Sequence, residues 1–267
     1  METTRYRVEP GTTVDLSRWE TDDDGGLTKA EGKARFGELN TRLEELQEVL
    51  YAQGRHKVLV VLQATDTGGK DGTIRRVTDG VNPQGVKVAS FKKPSTRELA
   101  HDYLWRIHAQ MPRTGQITIF NRSHYEDVLV VRVHGLVPED QWSRRYGHIR
   151  AFEQMLADEG LTIIKLFLHL SKDEQAERLQ ARIDDPTKHW KFSHGDLDER
   201  EHWNDYQEAF RTMLEETSTP AAPWFVIPAD RRWYRDLVVA QILVETLDSL
   251  DLAYPADHEN VEGVVIT

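Results

Sequence analysis

The stretch "QATDTGGKDGTI", residues 63–74, brings a carboxylate, a lysine and several glycines together in Asp66, Gly69, Lys70 and Gly72. Between a strand and a helix, such a loop turns successive backbone N–H groups and the positive end of the helix toward an anion, above all phosphate. Gly69 and Gly72 permit close approach, and Lys70 supplies a mobile point charge for a phosphoryl group in transfer. Asp66 does not belong in a plain anion site. It would repel the ligand unless a divalent cation lay between them, which makes it a candidate Mg²⁺ ligand or a base toward an attacking oxygen. The loop also departs from the nucleotide-binding pattern of Gly, four residues, Gly-Lys and Ser or Thr. Ala64 stands at the first Gly and Asp71 at the hydroxyl position, which argues against the usual ATP-cradling geometry. Taken alone, Gly-Gly-Lys after a strand is equally an ordinary turn.

The elements that must position this loop are legible in the apolar pattern. "KVLVVLQ" (57–63), "VKVASF" (86–91), "ITIF" (117–120), "IIKLFLHL" (163–170) and "WFVI" (224–227) are short apolar runs separated by helical patterns. That rhythm predicts an α/β fold with a five-stranded parallel sheet covered on both faces. Phe36, Leu39, Leu43, Leu46 and Leu50 alternate steps of three and four, one face of a helix that Gly54 can end. Ligands of open parallel sheets bind beyond the C-terminal strand ends. Here those ends carry the loop itself, Lys92 and Lys93, Asn121 and Arg122, and Arg231 and Arg232, so cations from distant stretches should converge on one crevice.

"RIDDPTKHWKF" joins two helical patterns through Asp-Pro, where a helix must break, and offers Arg182, Lys188 and Lys191 around Trp190. Arg178 and Arg182 lie four apart on one helix face. A basic loop of this kind could close over reacting phosphates and exclude water; a solvated helix hairpin is the plainer reading. Asn121 could orient water or the acceptor phosphate, or simply cap a turn. Arg122, directly after a central strand, is placed for bidentate phosphate contact. Glu126 and Asp127 are either surface acids or neighbours of the acceptor nucleotide. Trp105, Trp142, Trp203 and Tyr206 lie in helical patterns, where packing is favoured over base stacking. The histidines show no paired metal-ligand spacing, and His108 and His124 read as turn or surface residues.

The sequence resembles the family-2 polyphosphate kinases. Their loop reads Gly-x-Asp-x-x-Gly-Lys-x-Gly, matched here by Asp66, Gly69, Lys70 and Gly72 with Ala64 departing; "NRSHY" matches their second motif through Asn121, Arg122, Ser123 and Tyr125. "SKDEQAERLQARIDDPTKHWKFS" resembles their lid, and "TSTPAAPWFVIPADRRW" their tail; the likeness runs from about residue 35 to 250. It implies a P-loop kinase fold of three α/β/α layers with a helical lid, related to thymidylate kinases. It further implies reversible, Mg²⁺-dependent phosphoryl transfer from inorganic polyphosphate to a nucleotide, with Mn²⁺ as a substitute metal. "DTGGKDGTI" and "NRSHYEDVLVVRVH" look most like the subgroup accepting both mono- and diphosphates. On that basis Asp66, Lys70, Asn121 and Arg122 form the catalytic set, with Asp66 the metal ligand. Gly69, Asp71, Gly72, Thr73, Lys93, Arg178, Arg182, Lys188 and Lys191 bind phosphate, and Glu126 and Asp127 face the nucleotide.

The remaining bounds follow from composition. Forty-five acidic against thirty-four basic residues give a net charge of −11, which repels nucleic acid and anionic membrane. The chain has no cysteine, so neither a disulfide framework nor a thiolate metal site is available. No apolar run approaches the roughly 20 residues that span a bilayer, and a cytoplasmic protein is expected. The expected organisation is an N-terminal arm (1–26) that is mobile or draped on the surface, one domain (27–255, lid about 182–197) and a C-terminal tail (256–267). Family habit and the exposed-looking first helix imply a homo-oligomer, dimer or tetramer. Two other classes stay open. An ATP-dependent small-molecule or nucleotide kinase would share fold and metal, and a non-catalytic polyphosphate- or nucleotide-binding protein would need no Asp66.

Overall fold

The five apolar runs form five strands: β1 Lys57–Gln63, β2 Val86–Ser90, β3 Gln116–Asn121, β4 Leu161–His169 and β5 Trp224–Pro228. The computed structural model describes residues 2–256 and 261–266, so residues 257–260 and 267 of the expected tail lie outside the described residues. The strands pair in the order β2-β3-β1-β4-β5, every pairing parallel. β1 is buried from Val58 to Gln63 because both faces of the sheet are covered. This is why it reads as a continuous apolar run rather than an alternating one.

Among the described residues ten α-helices complete the layers. They are α1 Lys29–Gln53, α2 Lys70–Val77, α3 Thr96–Leu99, α4 Trp105–His108, α5 Val130–Val133, α6 Glu139–Asp158, α7 Lys172–Asp184, α8 Gly195–Glu201, α9 Trp203–Thr217 and α10 Arg232–Asp248. On one face Val58, Val60 and Leu62 pack with residues of α1, α2 and α10; on the other Leu59 and Val61 pack with residues of α6 and α9. α1 begins with a capping box between Thr28 and Glu31 and ends at Gly54 in the left-handed conformation, as its stripe predicts. No helix of the described residues is long and apolar enough to cross a membrane.

Strand order fixes where a ligand can enter. From β1 the chain runs to the edge strand β2 and back to β3 on one side, then crosses to β4 and β5 on the other, so the connections of the two sides part beside β1. The loop of residues 64–69 occupies that point. The N-terminal arm, expected to be mobile or surface-draped rather than core, follows the edge of the sheet and puts side chains into both core clusters. Arg7 bridges Phe225 on the free edge of β5, and Tyr6, Val8 and Val14 are buried. Thr21 then bonds Asp230 through both its carbonyl and its hydroxyl, at the C-terminal end of the same strand.

Candidate active site

Backbone geometry shapes the loop first. Thr67 has φ 61°, rare for a β-branched residue, and Gly69 has φ 97°. A Cβ on Gly69 would lie 1.8 Å from Arg235 Nη1, so glycine is required by close approach as well as conformation. Arg235 and Arg178 support the loop from behind. Arg178 donates from Nη1 to the Thr67 carbonyl (3.1 Å), from Nη2 to the Ala229 and Asp230 carbonyls (2.6 and 2.9 Å) and from Nε to Glu174 (2.7 Å). Arg235 is buried, bonds Asp236 and reaches the Gly68 carbonyl at 3.5 Å. Drawing these carbonyls inward leaves the loop N–H groups to face the ligand.

On the ligand side, Lys70 begins α2 and folds back to donate to the Ala64 and Thr65 carbonyls at 3.0 and 3.3 Å. Burial, then the charge of Arg122, pushes its ammonium down to about 8. Asp66 Oδ1 accepts from Arg122 Nη2 at 2.5 Å, and Glu126 Oε2 accepts from Arg122 Nη1 at 3.1 Å. One guanidinium therefore lies between two carboxylates, one from each motif. The Glu126 charge, outweighing burial, holds Arg122 above its ordinary range. Asn121 donates from Nδ2 to Asp71 Oδ1 at 2.6 Å, tying the end of β3 to the start of α2. These links bring Asp66, Lys70, Asp71, Asn121, Arg122 and Glu126 together.

The expected phosphate-binding set divides. Arg178 lies behind the loop with its nitrogens on protein oxygens. Thr73 is fully buried, and its hydroxyl donates to Asp236 at 3.3 Å, away from the loop mouth, because α2 turns that face toward α10. Asp127 faces Arg145 at 3.1 Å, and burial raises its carboxyl. It is thus an interior partner, in contrast to its neighbour Glu126. His124, expected in a turn or at the surface, does begin a 3-10 turn but is fully buried there. Lys93 is exposed near the strand ends. Arg231 is drawn away by the arm, with Nη1 3.0 Å from Asp24 and Nη2 3.8 Å from Asp22. In the lid, Arg182 donates to the Lys191 carbonyl (3.0 Å) and Asp196 (3.2 Å), Lys188 pairs with Asp185 (2.7 Å), and Lys191 lies 4.9 Å from the Trp190 ring. Lys188 and Lys191 are exposed, which suits a closing loop and a solvated hairpin alike.

A cleft beside the loop is lined by Asp66, Arg122 and Glu126 on one side and Glu199, Trp203 and Tyr206 on the other. Packing is the favoured expectation for Trp203 and Tyr206; Tyr206 does pack against the core beside Phe210, and both also line this cleft. Their spacing of three on one face of α9, just after the lid, is the signal that places them at the cleft. Gln175 also reaches the site, donating to the Asp66 carbonyl at 3.1 Å. Among the described residues no three histidine or acidic side chains converge on a metal position. Mg²⁺ needs only one or two protein carboxylates, with substrate phosphates and water completing its octahedron. Asp66, partly exposed and paired with Arg122, would be the carboxylate to offer it.

A family model described as polyphosphate kinase 2 matches residues 26–254. An AMP/ADP-polyphosphate phosphotransferase of Meiothermus ruber is 59% identical over 264 residues, covering 98% of this chain and 99% of that protein. An ADP-polyphosphate phosphotransferase of Rhodopseudomonas palustris is 47% identical, covering 96% of this chain and 93% of that one. The crystal structure of polyphosphate kinase 2 from Arthrobacter aurescens superimposes with a TM-score of 0.93 at 44% identity, covering 97% of this chain and 93% of that one.

Proposed function

The chain belongs to the polyphosphate kinase 2 family, and from that footing we propose that it transfers a phosphoryl group from inorganic polyphosphate to a nucleotide, with both ADP and AMP as acceptors. The observation that carries the reading is the meeting of Lys70, Asp66 and Arg122 at the end of β1, cations and a carboxylate from two motifs close enough to act on one another's charge. An acceptor phosphate is already largely ionised at neutral pH, since its second pKa is about 6. It needs no base, which leaves holding the metal as the role of Asp66.

In this reading the loop N–H groups and Lys70 hold the donor phosphates, and Arg122 aligns the acceptor phosphate for in-line attack. Asp66 would hold Mg²⁺, whose chemistry when bound would be to neutralise phosphate charge and polarise the transferring group. Arg178 and Arg235 keep the loop in shape, and Arg182, Lys188 and Lys191 close the lid against water. The cleft between Arg122 and Tyr206 is the proposed seat of the acceptor. A cytoplasmic setting and a homo-oligomeric assembly, dimer or tetramer, complete the proposal; the mass of the full chain in solution tests the latter.

The deciding experiment supplies purified protein with ADP, long-chain polyphosphate and Mg²⁺ and detects ATP by luminescence, with Asp66→Asn as control and AMP in a parallel reaction. ATP that disappears with Asp66→Asn supports the donor and the loop, and ADP made from AMP supports the wider acceptor range. Transfer seen only with ATP as donor would replace this reading with an ATP-dependent kinase.

A further inference from the structure

Arg122 has φ 62°, a left-handed conformation that few residues other than glycine adopt. Such a conformation persists only where its surroundings fix it. On the N-terminal side the Arg122 N–H donates to the Leu62 carbonyl at 3.1 Å, and the Asn121 carbonyl accepts from the Phe91 N–H at 3.0 Å. On the C-terminal side the chain turns inward. Ser123 Oγ accepts from the Tyr125 N–H at 3.2 Å and from Gln63 Nε2 at 3.3 Å.

Beyond Ser123 lies a charged cluster with no access to the cleft. Tyr125 OH donates to Glu153 Oε1 at 2.7 Å, and His124 Nε2 lies 3.2 Å from the same oxygen. Glu153 Oε2 accepts from Lys165 Nζ at 2.7 Å; the ammonium also donates to Tyr125 OH (2.9 Å) and the Thr217 carbonyl (2.7 Å). The side chains of Lys165 and Glu153 are 0% and 2% exposed. All three ammonium donors are thereby used. A buried ion pair is a poor source of stability compared with an apolar core of the same shape, so its use on a central strand calls for another reason. Its strength is directional. Groups from four elements, β3's connection, α6, β4 and the end of α9, hold residues 124 and 125.

We infer that Glu153 and Lys165, acting through Tyr125 and His124, are positioning residues for Arg122. They hold the segment after it rigidly enough to keep its backbone left-handed and its guanidinium between Asp66 and Glu126. The inference rests on the phosphoryl-transfer reading of the site. A cluster that merely stabilised the fold would depress activity in proportion to lost protein, whatever residue stood at 122.

The test is a double-mutant cycle on kcat for ATP formation from ADP and polyphosphate, after wild-type activity is established. Tyr125→Phe removes a donor to Glu153 while keeping the ring. The paired change Lys165→Met with Glu153→Gln removes the charges together, so that no unpaired charge is left buried. Each is made in the wild type and in Arg122→Lys, whose flexible point charge depends less on orientation. In the wild-type background kcat should fall on the order of 10-fold, since misplacement of about 1 Å can cost up to about 100-fold. With lysine at 122 the same changes should cost less than about twofold. Equal losses in both backgrounds, or an unchanged kcat in the folded Tyr125→Phe variant, would overturn the inference. Absence of polyphosphate-driven transfer in the wild type would instead count against the proposed function.

Discussion

Residues 121–127 carry charge in two directions, and the two networks differ in what can enter them. Toward the cleft, Arg122 lies between Asp66 and Glu126 with 37% of its side chain exposed. Toward the interior, Lys165 and Glu153 are closed around Tyr125 and His124. Burial alone would raise the Glu153 carboxyl, but Lys165 and His124 outweigh it and leave it below its ordinary value. In the closed network every ammonium donor meets a protein oxygen, so its charge can only fix geometry. The open pairs are weak, because partly hydrated ion pairs of this kind contribute about 0–1 kcal/mol. A phosphate oxygen or a metal can therefore replace one partner at small cost. The same residue types thus form a scaffold where they are sealed and a binding site where they are not.

The largest effect should come from opening the sealed network on one side only. Lys165→Met alone leaves Glu153 buried and unpaired and should cost about 3–5 kcal/mol of stability, read from urea unfolding. A cost below about 1 kcal/mol would mean that the two networks are not different in kind.

Arg122→Ala should do the opposite, lowering kcat by about 100- to 1,000-fold, the scale of a lost transition-state donor. Its melting temperature should move less than about 4 °C. Steady-state kinetics and a thermal melt on one preparation check both.

Lys70 sharpens the comparison through pH. Its ammonium titrates near 8 in the free protein, so the protonated fraction falls as pH rises through that value. Polyphosphate binding, which favours the protonated form, should weaken by up to about tenfold per pH unit above it. The apparent KM for polyphosphate between pH 7 and 9.5 measures this, and a flat profile in that range would show that Lys70 does not contact the donor.

The smallest effect is expected at the lid. Lys188 and Lys191 are exposed, so replacing both by alanine should raise the KM for polyphosphate only a few-fold, and less at high salt. Titrating KM against salt in both proteins separates this screened contribution from that of the buried Lys70.

Much of this architecture is legible in local pattern. The strands fall within two residues of the runs that announce them, since a parallel strand covered on both faces must be apolar throughout. Asp66, Gly69 and Lys70 are readable because a phosphate cradle needs N–H groups, close approach and charge within one short stretch. Asn121 and Arg122 are readable as the polar end of a central strand. Arg178 is not legible in the same way. Its spacing from Arg182 suggests a shared anion, yet it spends its fork on the Thr67, Ala229 and Asp230 carbonyls, brought to it from two other strand ends. Thr73, Asp127 and His124 are likewise directed by what packs opposite them: Asp236, Arg145 and Glu153.

By itself, then, the sequence determined the layers of the fold, the strand ends that carry the polar and basic residues and the chemical character of the loop. These depend on residue type and short-range period. The tertiary structure alone decided which cations remain free for substrate and which are consumed as scaffold, and that Arg231 answers to the arm's aspartates. A long charged side chain goes wherever an unsatisfied oxygen lies within reach, and the oxygens that captured Arg178, Arg231 and Lys165 come from distant parts of the chain.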